Sequence, residues 1–366
     1  MRHRTVLAGA AAVALLPVAA QATGYREFGK WSIACDNSLA CSAFGTSDKD
    51  KGGERWGLRI DRAPGYDGKI RIRFNGKDIS DEEHILIDGK MAMIESPASM
   101  GAASLPQEPL LGVINRLLNA ATMTMPGEEK DGEIISLTGL KAALLYMDEQ
   151  QGRIGARNAF VSKGEKKSAM PPRAYPIVKA VKVPESGSAG VPIAPKIGKA
   201  VMAHYRATTN RKICDLGLEP ASQETPTAYP LDKGLLLMEV YCWRAAYQAG
   251  SVFYLFDRSS GTLRDAPFEM LDSKTGALTI GKNESVSGAD AGDGAISGLH
   301  KGRGVGGCGE AVSWRWDGKA FRLTSQAFKS LCNHSDAAFR LYRAQVRHAD
   351  GKLTPIAEDA DDDMTF

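Results

Sequence analysis

Six cysteines, Cys35, Cys41, Cys214, Cys242, Cys308 and Cys332, all follow an amino-terminal segment built like an export signal, and no other feature restricts the chain as much. The segment starts with Arg2, His3 and Arg4, continues through the small and apolar stretch Val6 to Ala20, and closes on Ala20-Gln21-Ala22. A basic start, a short apolar run and a small-x-small site specify secretion with cleavage after Ala22, and the run is too short to span a bilayer. Residues 1–22 are expected to be a signal peptide. The mature chain is then expected in an oxidising compartment, most simply a bacterial periplasm, where thiols pair.

Sequential pairing, Cys35 with Cys41, Cys214 with Cys242 and Cys308 with Cys332, is the simplest of the connectivities that six cysteines allow. No C-x-x-C occurs, and His84, His204, His300, His334 and His348 are scattered without ligand spacing. Neither a metal site nor thiol redox chemistry is expected from these sulfurs. At 366 residues the chain can bury two ordinary cores, so disulfides would reinforce folding and not replace a core.

Prolines 171, 172, 176, 184, 192 and 195, together with Ser186-Gly187-Ser188, mark residues 163–196 as a Pro-rich linker. This gives a β-rich domain over 23–162, a disulfide-stapled β domain over 197–357 and an acidic tail over 358–366. The expected fold class is mainly β with minor α, with a β-sandwich-like first domain carrying short helices and an antiparallel second one.

Strand signals fall at Trp31 to Cys35, Cys41 to Thr46, Trp56 to Asp61 and Lys69 to Phe74, and Asp88-Gly89 joins two apolar runs as a hairpin. Leu110 to Leu118 repeats at helical spacing, as does Leu140 to Met147 after Thr138, a candidate N-cap. Thr122 to Met125 and Glu133 to Leu137 read as further strands. Ile197, Val201 and Tyr205 share a helix face behind Pro195. Leu235 to Trp243 and Ser251 to Asp257 read as buried strands, and Val312 to Trp316, Asp317-Gly318 and Lys319 to Thr324 as a second hairpin.

Gly302 to Gly307 satisfies G-x-G-x-x-G in letters, but it runs into Cys308 and a hairpin with no helix to face a pyrophosphate, so a turn is expected and no cofactor. Trp314 and Trp316 share a strand face, which is either core or, if exposed, a stacking surface with Arg303 at its edge. The chain has no G-x-S-x-G and no spacing that nominates a catalytic set. Asp290 and Asp293 lack the EF-hand pattern, while Asp81-Glu82-Glu83 and Asp361-Asp362-Asp363 read as solvated charge. Removing the signal takes away two arginines and no acid and leaves a formal charge of +1, too little to select nucleic acid.

Residues 301–323, from Lys301-Gly302-Arg303 through Trp314-Arg315-Trp316 to Leu323, resemble the secreted bacterial family catalogued as domain of unknown function 1176. The likeness extends to Trp31, Cys35-Asp36-Asn37, Cys41, the Leu58 to Arg62 strand and Ala246-Tyr247, although Gly307 stands where that family often has an acid. The N-terminal part also resembles the invasion-associated locus B family, in Gly29-Lys30-Trp31 to Cys35 and in Ile134 to Leu137 followed by Leu140 to Met147. These resemblances imply an envelope role and supply no catalytic residue. The expected function is non-catalytic binding or envelope maintenance, with an envelope protein or a glycan as partner. The alternatives are a periplasmic hydrolase and an inhibitor or assembly factor. No membrane span is expected, and no signal sets an oligomeric state.

Overall fold

A computed structural model describes residues 24–47, 56–74, 77–78, 84–93, 107–124, 134–209, 213–214, 225–272, 275–282, 284–332 and 337–354. The signal segment, Asp81 to Glu83 and the acidic tail lie outside the described residues.

The first half is organised by a six-stranded antiparallel meander: β1 (Arg26–Phe28), β2 (Trp31–Cys35), β3 (Cys41–Thr46), β4 (Gly57–Arg62), β5 (Ile70–Phe74) and β6 (Lys77–Asp78). A four-stranded sheet adds β7 (His84–Ile87), β8 (Lys90–Met93), β9 (Thr122–Thr124) and β10 (Ile135–Ser136) in the order β10-β9-β7-β8. The expected hairpin joins β7 to β8, with Asp88 and Gly89 both at positive φ, as a two-residue turn of matching twist requires. Helices α1 (Gln107–Leu117) and α2 (Leu140–Gln150) share one core with both sheets, in which Trp31, Ile33, Leu58, Ile72, Ile114, Leu144 and Phe160 are buried.

Thr138 does not cap α2. Gly139 is the N-cap, at φ 100°, with no side-chain cap bond, because its α-carbon lies so close to the Phe28 carbonyl that any Cβ would overlap it. Close packing of two glycine-containing turns, held by Lys30 N donating to Thr138 O at 3.0 Å, sets the helix entrance there.

Residues 163–196 run along both halves. Met170 N donates to Gln151 O and Arg173 N to Ser38 O, and β11 (Ile177–Lys179) pairs in parallel with β24 (Gln345–Arg347). Pro195 opens α3 (Pro195–Thr208), whose Val201 and Tyr205 are buried against the next sheet, with Ile197 partly buried beside them.

That sheet contains β12 (Thr227–Pro230), β13 (Leu235–Arg244), β14 (Ala249–Asp257) and β15 (Leu263–Asp265). The final sheet comprises β16 (Pro267–Leu271), β17 (Leu278–Lys282), β19 (Asp290–Gly292), β20 (Ala295–Lys301), β21 (Gly309–Trp316), β22 (Phe321–Lys329) and β23 (Ala338–Arg343). A short strand between them in sequence, β18 (Val286–Ser287), pairs with β14. The two sheets face each other over Leu237, Phe253, Leu255, Phe268, Trp314, Trp316 and Phe321, while the other face of β13 and β14 meets α3. The connection from β21 to β22 spans Asp317 to Ala320, longer than a two-residue Asp-Gly turn. Asp317 Oδ1 accepts the Lys319 and Ala320 amides at 2.8 Å each and stabilises this wider loop.

A fourth cluster joins the halves: Ala34 and Phe44 on the outer face of the meander pack on Phe339 and Leu341 of β23. The fold is β-rich with three helices among the described residues, and the disulfides join Cys35 to Cys41, Cys214 to Cys242 and Cys308 to Cys332.

Candidate functional site

Both tryptophans singled out in the sequence are buried, Trp314 to 4% and Trp316 to 1% exposure. Trp314 Nε1 donates to Glu269 O at 2.7 Å and Trp316 Nε1 to Asp232 Oδ1 at 2.6 Å, so each polar edge is used inside the protein. Phe268 meets Trp314 edge-on at 5.1 Å and stacks on Phe321 at 5.2 Å. The stacking-surface reading of Trp314 and Trp316 is therefore replaced by a core one, because the facing β-sheet covers both indoles. Arg303 is exposed on the Gly302 to Gly307 loop, away from that face, with its Nε on Gly306 O at 2.9 Å.

The same strands form a cleft where the two sheets part. Cross-strand neighbours point to one face, and the register places His300 of β20 opposite Glu310 of β21, and Val312 of β21 opposite Gln326 of β22. Strand β18 closes the other side, seated on Gly298, where an added Cβ would lie 2.6 Å from Val286 Cγ1. A glycine is needed there for β18 to approach. The cavity left between them is about 410 Å³.

Polar and apolar groups share the lining of this cleft. Ser287 Oγ and His300 Nδ1 are 3.2 Å apart, and Gln326 Nε2 donates to Glu310 Oε1. Ser285 is positioned by Trp243, whose Nε1 donates to its Oγ at 2.8 Å. Met270, Leu271, Val286, Val312, Trp314 and Leu323 supply the apolar lining. Hydroxyl, imidazole, amide and carboxylate groups thus face one space among apolar side chains. That set both donates and accepts hydrogen bonds, which suits a ligand carrying hydroxyls and amides.

Charge around the cleft is set by its neighbours. Burial raises the Glu269 carboxyl above its ordinary value, opposed by Arg322, whose Nη2 lies 2.7 Å from Oε1. At the end of β22, burial and then Arg303 push the Lys329 amine down.

A second cavity of about 380 Å³ lies beneath Ser188, β19 and Arg315. One of its acids is committed to structure: Asp293 Oδ1 accepts the amides of Ser186 at 2.8 Å and Gly187 at 3.2 Å, fastening the proline-rich segment to the sheet. Gly302 to Gly307 leads into Cys308 and β21 with positive φ at Gly306 and Gly307, as a turn requires. Among the described residues no cluster of three or more His, Cys, Asp or Glu side chains could hold a metal ion.

Of the cleft residues, Trp314 was singled out by sequence, as a stacking ring, and the polar ones were not. One signal was available: Glu310 has the parity of Val312, Trp314 and Trp316, so a carboxylate interrupts a face that is otherwise apolar.

The family described as Protein of unknown function (DUF1176) matches residues 25–343, which contain the cleft and the loop. The chain is similar to the uncharacterized protein YpfG of Escherichia coli strain K12, 27% identical over 337 residues, covering 88% of this chain and 93% of that protein. No solved structure matches.

Proposed function

Because the chain belongs to the family described as Protein of unknown function (DUF1176), which carries no activity to transfer, we propose a role from the cleft itself. The protein acts in the periplasm as a non-catalytic binding protein for envelope maintenance, and its cleft holds a hydroxyl- and amide-bearing ligand of the amino-sugar class. The observation that carries this reading is the meeting of Ser287, His300, Glu310 and Gln326 in one cleft whose lining also includes the apolar Val312 and Leu323. Sugar hydroxyls suit the polar groups of this lining, and an acetamido methyl suits the apolar side chains among them.

Three disulfides support an oxidising compartment, and no helix among the described residues is long and apolar enough to cross a membrane. In this reading residues 23–162 form a scaffold, 163–196 a connector and 197–357 the ligand-binding domain.

A hydrolytic role draws on the contact between Ser287 and His300, since a hydroxyl beside an imidazole is the start of a nucleophile–base pair. Glu310, the carboxylate across from His300, is instead hydrogen-bonded to Gln326, so it does not orient the ring. Binding is therefore the better-supported function. Calorimetric titration with N-acetylglucosamine and its short oligomers tests it. Wild type should bind, and His300→Ala and Glu310→Gln should each lose at least about tenfold in affinity while keeping the far-ultraviolet dichroism. Absence of binding by wild type, or turnover abolished by Ser287→Ala, would reject the reading.

A further inference from the structure

Just beyond His300 the chain presents an aromatic ring whose exposure the fold does not explain by itself. Tyr247, in the turn between β13 and β14, is 65% exposed. Its turn is rigidly placed: Ala245 N donates to Gln248 O at 2.7 Å, Lys301 N donates to Gln248 Oε1 at 3.0 Å, and Lys301 Nζ reaches Tyr247 O at 3.4 Å. Gly288 N donates to Ala249 O at 2.7 Å and the cleft residue Ser287 pairs with Gly250, so this turn adjoins the β18 side of the cleft.

The ring is seated by Gly304. An added Cβ there would overlap Tyr247, with all three of its nearest atoms belonging to that ring. Gly304 has no positive φ, so its backbone conformation does not call for glycine; the ring against it does. The loop is fixed by Gly302 N on Cys308 O at 2.9 Å, Gly306 N on Arg303 O at 2.9 Å and the Cys308–Cys332 disulfide at its end. A flat aromatic ring is thereby backed by bare peptide on one side and open to solvent around the rest.

We infer that Tyr247, backed by the Gly302 to Gly307 loop, is an outer subsite that stacks a second sugar ring of a glycan whose first unit occupies the cleft. This rests on the binding reading above and extends it from a single amino sugar to a chain. Stacking needs an immobile ring with an accessible face, and aromatic side chains supply contact area at small entropic cost. Lys301 Nζ, on the Tyr247 carbonyl, places a cationic donor beside the outer ring.

The experiment compares N-acetylglucosamine with its β-linked tetramer in calorimetric titrations of the intact mature protein. Wild type should bind the tetramer about tenfold more tightly than the monomer, a difference of about 1.4 kcal/mol. Tyr247→Ala should remove that advantage and leave monomer affinity unchanged. Tyr247→Phe should retain it, because stacking uses the ring and not the hydroxyl. Gly304→Ala, which displaces the ring without backbone strain, should behave like Tyr247→Ala. The inference is overturned if wild type binds both lengths equally, or if the length advantage survives Tyr247→Ala. Monomer binding that persists in those cases leaves the cleft reading standing, whereas binding of neither sugar overturns both.

Discussion

The side-chain amide of Asn37 pairs with the backbone of Arg343 in both directions: Nδ2 donates to the Arg343 carbonyl at 2.8 Å, and Oδ1 accepts from its amide at 2.9 Å. One side chain thus continues β23 as a strand neighbour would, and it does so across the boundary between the halves. Phe44 and Ala34 pack on Phe339 and Leu341 beside it, and Arg59 donates to the Ala338 carbonyl. The stapled turn Cys35 to Cys41 is therefore also a clasp on the second half.

Replacing Asn37 with Ala leaves the amide and carbonyl of Arg343 without these partners. A loss of about 2 kcal/mol is expected from two hydrogen bonds of about 1 kcal/mol each, read as a lower urea midpoint at unchanged slope. An unchanged midpoint would show that water replaces the amide at no cost.

Asp148, fully buried, receives the amides of Phe160 at 3.0 Å and Val161 at 2.8 Å, and lies 3.7 Å from Arg62 Nη1. Burial raises its carboxyl, while those amides and then Arg62 and Arg153 work against the rise. The same burial, with Arg153 nearby, brings Arg62 down to about 9. Asp148→Asn keeps the volume but can accept only one of the two amides and faces the other with an NH2 group, so a loss of about 2 kcal/mol is expected in denaturant unfolding at neutral pH. A loss below about 0.5 kcal/mol would mean that the second carboxylate oxygen contributes nothing to this core.

Asp61 titrates in the opposite direction. Burial alone would raise it, but Arg59 at 2.7 Å, Arg73 at 3.2 Å and the Ser42 hydroxyl outweigh burial and hold it below the ordinary carboxylate range. A carboxylate depressed by folding stabilises the protein above its unfolded pKa, and that contribution disappears as pH falls through the folded value. Wild-type stability should therefore decline as pH drops below about 4, and Asp61→Asn should flatten that limb while being less stable at pH 7. Parallel wild-type and variant curves from pH 7 down to the acid limit would refute the assignment.

The Cys308–Cys332 bridge closes a separation of 24 residues that contains β21 and β22. Cys308→Ser with Cys332→Ser should cost about 3 kcal/mol in thermal or urea unfolding. It should also loosen the Gly302 to Gly307 loop, making amide hydrogen exchange at Val305 and Gly306 faster than in wild type. Protection that is unchanged would show that hydrogen bonds alone hold the loop.

Much of the fold is legible in local pattern. Alternation in Leu58 to Ile60 and Ile70 to Ile72 marks the meander, and Asp88-Gly89 can supply two positive φ angles cheaply. The entry to α2 is not legible, because Gly139 is chosen by the approach of Phe28 and not by capping chemistry. The cleft escaped for a related reason. Local signals begin the hairpin at Val312 and end it at Thr324, whereas β21 starts at Gly309 and β22 runs to Lys329. Glu310 and Gln326 lie in those extensions, and His300 and Ser287 lie in strands with weak local signals, Ala295–Lys301 and Val286–Ser287.

The sequence alone determined a β-rich chain, the spacing of its cysteines and its strongest strands, since these follow from side-chain period, turn chemistry and the export-like segment. Tertiary structure decided that Trp314 and Trp316 are covered, that Asn37 clasps Arg343, and that four polar residues meet in one cleft. Burial and strand extension depend on what packs alongside, and partners distant in sequence supply energy that no local window contains.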